Sequence, residues 1–201
     1  MTIGGTAAYA GYPGLPAMVE RAVAAARRLD FGYSCRPQQG ELLRLLAAGI
    51  GPGTIGETGT GCGVGLAWLA SGAPAEARLV SVERDPVRAA VAAELFRTDP
   101  RVRVVTGDWR DLAGQGPFDL LVLDGGGAAK DADPPVEPGE WLRGVGAQLV
   151  IDDFTPLTTW PPRHEGREDA ARLHWLRHPR LRASEVRVAP SASTILATFV
   201  G

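Results

Sequence analysis

Lysine is almost missing from this 201-residue chain: of its 21 basic residues, all but Lys130 are arginine. A basic excess is missing too, since 23 acidic residues leave a formal net charge of −2. That balance gives no general attraction to nucleic acid or to an anionic membrane. The two cysteines, Cys35 and Cys62, are too few for a disulfide framework. No apolar run approaches the roughly 20 residues that cross a bilayer. The opening stretch MTIGGTAAYAGYPGLP lacks the basic start and apolar centre of a secretory signal. With these classes set aside, the expectation is a soluble, cytoplasmic protein without a membrane partner. A GC-rich coding bias accounts for the wealth of Ala, Gly and Arg, which makes the one surviving lysine a residue to follow.

What is present is enough for a full core: 45% of the residues are hydrophobic, and one domain is the default at this length. Residues 1–14, rich in Gly, Ala and Tyr, read as a loosely ordered N-terminus, and 15–201 as a single domain. Apolar residues at 15, 18, 19, 22, 23, 26 and 29 repeat at helical spacing, and Gln38–Ala48 carries a leucine stripe. The rhythm then changes. Thr54–Glu57, Arg78–Glu83, Val102–Thr106, Phe118–Asp124 and Ala147–Asp152 are short and almost continuously apolar, as parallel strands covered on both faces are. Between them, Val64–Ser71, Pro86–Thr98 and a weaker stretch near Glu140 read as helices. Alternating strands and helices predict a doubly wound α/β sheet. The tail predicts a helix over Arg167–Arg177, then strands Ala183–Ala189 and Thr194–Val200, whose short connection forces antiparallel pairing.

Glycine is concentrated in one place: five of the 26 lie in IGETGTGCGVG, Ile55–Gly65, after the first strand and before a helix. A dinucleotide loop spaces its glycines G-x-G-x-x-G. Counting from Gly59 the third glycine falls on Val64, and from Gly61 on Leu66, so that pattern fails in both registers. The chain has instead Glu57, then Gly59, Gly61 and Gly63 at alternate positions.

This stretch resembles the first motif of class I S-adenosylmethionine-dependent methyltransferases. SVERDP with Glu83, GDW with Asp108 and DLLVLDGGG with Asp124 follow in the family's order, each at a strand end. The resemblance runs from about residue 34 to the end. It implies a mostly parallel seven-stranded Rossmann-like sheet closed by an antiparallel hairpin, with helices added at the N-terminus. It also implies a cofactor set of Glu57, Gly59, Thr60, Gly61, Gly63, Glu83, Arg84, Asp108, Trp109 and Asp124. In that set Glu57 holds the amino-acid end of S-adenosylmethionine, Glu83 the ribose hydroxyls, and Asp108 the adenine amino group with Trp109 against the ring. The cofactor carries a sulfonium and an ammonium but no phosphate, which suits acidic strand ends. The competing readings are a surface ion pair of Glu83 with Arg84 or Arg88, and core packing for Trp109.

YSCRPQQGELLRLLA, Tyr33–Ala47, resembles the segment preceding that motif in the caffeoyl-CoA and catechol O-methyltransferase group. By that likeness Asp124, Asp152 and Asp153 stand at the group's three metal-ligand positions. All-oxygen ligands suit Mg²⁺, an optional second cofactor. Two departures stand out: Asp153 replaces the group's Asn, and Lys130, the candidate catalytic lysine with Asp124, lies six residues behind Asp124 rather than close to it. The metal-free alternative makes Asp152 and Asp153 polar residues at a strand end.

The reaction implied is methyl transfer to an oxygen of a small-molecule acceptor such as a phenol or catechol. The Pro/Gly-rich loops after the fourth and fifth strands would shape the acceptor pocket, with Lys130 in a mobile loop over it and Trp160 a candidate wall. A dehydrogenase, a non-catalytic cofactor-binding protein and a nucleic-acid methyltransferase using Arg177, Arg180, Arg182 and Arg187 are the alternatives. A homodimer stays open.

Overall fold

A computed structural model describes residues 4–130 and 133–201. Its helices are α1 (Ala17–Arg28), α2 (Pro37–Ala48), α3 (Val64–Gly72), α4 (Pro86–Leu95), α5 (Pro138–Trp141) and α6 (Ala170–Leu176). Its strands are β1 (Thr54–Thr58), β2 (Arg78–Glu83), β3 (Val102–Thr106), β4 (Leu120–Leu123), β5 (Gln148–Phe154), β6 (Arg163–His164), β7 (Arg167–Glu168), β8 (Leu181–Ala189) and β9 (Ala192–Phe199).

Seven strands form one sheet in the order β3-β2-β1-β4-β5-β9-β8. The first five are parallel, and the β8–β9 hairpin adds antiparallel to β5. The near-continuous apolar strands have the predicted consequence. Along β4, Leu120 and Val122 join the core under α1–α3, whereas Leu121 and Leu123 join the opposite core with Trp141 and Trp175. Successive strand side chains point to opposite faces, so a strand covered on both sides must be apolar at every position. Among the described residues no helix is long and apolar enough to cross a membrane.

Local chemistry sets several boundaries. Pro37 opens α2 and Pro86 opens α4, where a missing N–H costs nothing. The Asp85 side chain caps α4 by accepting from the amides of Val87 and Arg88. Gly40, from the stretch before the glycine loop, lets α2 press on α3: a Cβ there would lie 2.1 Å from the Trp68 indole nitrogen.

Residues 1–3 lie outside the described residues, while the rest of the N-terminal stretch makes specific contacts. Tyr9 is buried, its hydroxyl accepts from Trp68 Nε1 at 2.9 Å, and Thr6 donates to the Phe31 carbonyl at 2.7 Å. The tail helix starts at Ala170 rather than Arg167, because Arg167–Glu168 pairs with Arg163–His164 across a turn with Glu165 and Gly166 at positive φ. Finally, β5 runs on to Phe154 through a bulge between Ile151 and Phe154.

Candidate functional site

Strand order reverses beside β1, with β2 on one side and β4 on the other. In open α/β sheets such a switch point leaves a crevice at the carboxyl ends of the strands. The glycine loop lies there. Gly59, Gly61 and Gly63 have φ of 87°, 53° and 88°, the left-handed region that L side chains avoid. Gly59 also touches the loop after β4, where an added Cβ would sit 2.6 Å from Gly125 Cα.

Glu57, at the C-terminal half of β1, is buried. Its Oε2 accepts from Ser81 Oγ at 2.6 Å, and Ser81 Oγ lies 2.5 Å from Thr60 Oγ1. Ser81 was not anticipated as a site residue. Its signal was a lone hydroxyl inside the buried run LVSV of β2. Burial pushes Glu57 up to about 8, against the Ser81 hydrogen bond, with Asp124 and Glu83 adding to the rise.

A raised carboxylate sets the sign of a pH effect. Between an unfolded value of about 4.3 and the folded value, the folded protein keeps a proton that the unfolded chain has lost. The stability from Glu57 is complete below about pH 4.3 and is lost as pH rises through about 8. Thermal melts of the ligand-free protein are therefore expected to fall from pH 5 to 9, roughly, and Glu57→Gln to make that fall shallower. An equally steep fall in the variant would place the effect on other groups.

Glu83 closes the next corner. Its Oε2 accepts from the Gly61 amide at 2.7 Å; its Oε1 accepts from the Asp85 amide and from Arg88 Nη2, both at 2.9 Å. The ion pair weighed as an alternative therefore exists, with Arg88, while Glu83 still lines a cavity of about 60 Å³ with Gly59, Arg84, Asp108, Trp109 and Gly125. Asp108 caps the 3₁₀ turn Trp109–Gln115, and the hydrogen bond from the Arg110 amide holds its carboxyl below the usual range. Trp109 lines the cavity and also packs on Trp141 at 5.9 Å between centroids. Thr60 and Gly61 line a second, narrower cleft with Glu57, Cys35, Cys62 and Asp124.

Beyond this crevice stand the acidic residues of β4 and β5. Asp152 is buried, and burial together with Asp124 pushes it up to about 7. Burial also raises Asp124. Asp153 differs: its side chain is exposed and its backbone is left-handed at φ 70°. Among the described residues no three His, Cys, Asp or Glu side chains are grouped as a metal site. Asp124 and Asp153 both act on buried Asp152, and Asp153 also raises Asp124, although its own side chain is exposed.

Lys130 is not loosely held. Its ammonium donates to the carbonyls of Asp152 and, at 2.7 Å, Asp153, and lies 4.0 Å from the centroid of the Phe154 ring. Burial lowers it, and Asp153, Asp152 and Asp124 pull it back up. It borders a cavity of about 210 Å³ with Asp153, Phe154, Thr155, His164 and Arg172. Trp160 is no wall of that cavity; it is 60% exposed, with the Arg177 guanidinium 5.1 Å from its ring centroid. The arginines of the tail are spread over separate contacts: Arg180 pairs with Glu137, and Arg187 donates to the carbonyls of Ala189 and Pro190.

With this geometry in view, the likenesses to known proteins fall into place. A family described as a methyltransferase domain matches residues 57–154. A catechol O-methyltransferase of Niastella koreensis is 33% identical over 132 residues, 60% of this chain and 58% of that protein. One of Mycobacterium tuberculosis is 39% identical over 126 residues, 58% of this chain and 54% of that protein. The chain thus spans little more than half the length of these curated relatives. The crystal structure of an O-methyltransferase from Bacillus cereus in complex with SAH superposes with a TM-score of 0.73 over 97% of this chain and 96% of that one. At 20% identity that likeness concerns the fold.

Proposed function

We propose that this chain is a class I S-adenosylmethionine-dependent methyltransferase, a reading supported by its similarity to a methyltransferase-domain family and to catechol O-methyltransferases, and that it transfers the cofactor's methyl group to an oxygen of a small-molecule acceptor. The observation that carries the reading is the meeting, at one switch point, of a left-handed glycine loop with the buried carboxylates of Glu57 and Glu83. An acid-lined crevice suits a cationic cofactor without phosphate. A phosphate-bearing dinucleotide would meet repulsion there.

When bound, S-adenosylmethionine supplies an electrophilic methyl group on a positively charged sulfur. The chain's own work is to hold and align. Glu57 faces the amino-acid end, Glu83 the ribose, and Asp108 with Trp109 the adenine. Gly59 and Gly61 let the backbone close on the ligand. Alignment for in-line displacement at carbon accounts for much of the rate of such reactions. The acceptor enters the cavity beside Lys130, whose side-chain nitrogen faces the acceptor oxygen, either as a neutral amine that takes its proton or as a fixed ammonium.

The acceptor hydroxyl must also lose its proton, and a phenol's ordinary value is about 10. A hard divalent ion such as Mg²⁺ fits the donor chemistry: burial and Asp124 raise Asp152, burial and Asp153 raise Asp124, and a cation among them would offset that repulsion. Such an ion would lower the acceptor's pKa. A metal-free reaction is the second reading, favoured by the outward Asp153 side chain and by the ammonium already seated on the Asp152 and Asp153 carbonyls. Neither reading calls for a membrane or nucleic-acid partner, and both suit a cytoplasmic setting.

The test is transfer of labelled methyl from S-adenosylmethionine to a panel of catechols and simple phenols, with Mg²⁺ and with EDTA. Label in an O-methyl product is expected. Label that reaches only nitrogen, sulfur or carbon acceptors would overturn the oxygen assignment.

A further inference from the structure

We propose that Arg172 is a positioning residue of this site, fixed by Asp169 and Glu185 and acting through Lys130; the proposal rests on the acceptor-side reading of Lys130 given above. Arg172 lies on α6 and is 3% exposed, yet its guanidinium is engaged on every nitrogen. Nε donates to Asp169 Oδ2 at 3.0 Å, Nη1 to Glu185 Oε2 at 2.9 Å, and Nη2 to the Thr155 carbonyl at 2.9 Å. Its carbon centre lies 5.0 Å from the centroid of Phe154, the ring that Lys130 approaches to 4.0 Å. Glu185, on β8, uses its other oxygen to accept from the Leu157 amide at 2.7 Å. Two elements thus grip residues 154–157 as the chain leaves β5.

The residues just before that grip are the ones that hold Lys130. Its ammonium donates to two successive carbonyls, those of Asp152 and Asp153. In a regular strand successive carbonyls point to opposite sides, so one donor cannot receive both. They converge here because the strand bulges between Ile151 and Phe154, with Asp153 left-handed at φ 70°. A bulge needs something to hold its outgoing end. The Arg172 bond to Thr155 and the Glu185 bond to Leu157 are placed to do so. Buried ion pairs gain little net stability over apolar packing of the same volume. What this cluster supplies is geometry: it sets the Phe154 ring and the two carbonyls, and they set the ammonium.

Lys130 is the chain's only lysine, so its side chain can be observed alone. In protein labelled with ¹³C-lysine, the ε-methylene signal of Lys130 is expected upfield of an exposed lysine, shifted by the Phe154 ring current. Arg172→Gln and Glu185→Gln are expected to move it to the exposed-lysine position, while affinity for S-adenosylhomocysteine stays within about twofold, since neither residue lines the clefts at the glycine loop. If Arg172→Gln does not fold, Glu185→Gln decides, since its amide oxygen still accepts from Leu157. A wild-type signal at the exposed position, a signal unmoved in a folded variant, or parallel loss of S-adenosylhomocysteine binding would each overturn the proposal. None of these outcomes bears on the methyltransferase reading, which the labelled-methyl assay tests separately.

Discussion

Asp152→Ala is expected to abolish both methyl transfer and any rise in melting temperature on adding Mg²⁺. Asp152 is buried on β5, and burial together with Asp124, just past β4, makes its ionisation harder. Removing the Asp152 carboxylate takes away half of the oxygen ligands that this pair of residues would offer a divalent ion. Even partners one shell out from a metal typically cost about 10–100-fold in affinity or activity, so losing a direct ligand should cost at least about 100-fold. Asp152→Asn separates charge from volume and should fail in the same way. Full activity in EDTA, with no thermal shift from Mg²⁺, would instead select the metal-free reading, with the Lys130 ammonium as the resident cation.

Gly59→Ala is expected to remove S-adenosylhomocysteine binding while leaving a folded protein. Holding an L residue at φ 87° costs about 1–2 kcal/mol. The new Cβ would also lie 2.6 Å from Gly125 Cα, so the loops after β1 and β4 must part where the cleft narrows. The free loop can relax that strain, so binding must restore it, at a cost of about tenfold at 1.4 kcal/mol per decade, and the displaced backbone adds to it. Gly114→Ala is the control, because a Cβ there meets nothing within 4 Å. Unchanged binding in Gly59→Ala would mean that this loop is not the cofactor's cradle.

Much of this was legible in the residues. The strands of the sheet announced themselves because burial on both faces demands apolar residues at every position, as in Leu120–Leu123. The glycine loop was legible because left-handed turns restrict the residue types allowed, as at Gly59, Gly61 and Gly63. What escaped depended on partners far away in sequence. Tyr9 is ordered by Trp68, 59 residues on, and nothing local in the N-terminal Gly/Ala stretch signals that contact. Arg167–Glu168 looked helical because the pattern before Asp169 does not reveal a two-residue pairing with Arg163–His164. Ser81 was hidden by its strand. Lys130 read as the tip of a loose loop because its anchors are backbone carbonyls, which no sequence pattern displays.

The central claim is that the crevice at the β1–β4 switch point holds S-adenosylmethionine. Isothermal titration of S-adenosylhomocysteine into the wild type and Glu83→Ala tests it most directly. The account predicts one-to-one binding, weakened about tenfold or more in Glu83→Ala, because hydrogen bonds to a charged group contribute about 1.5–3 kcal/mol. Binding of NAD with no heat from S-adenosylhomocysteine or S-adenosylmethionine, or equal affinity in Glu83→Ala, would contradict it.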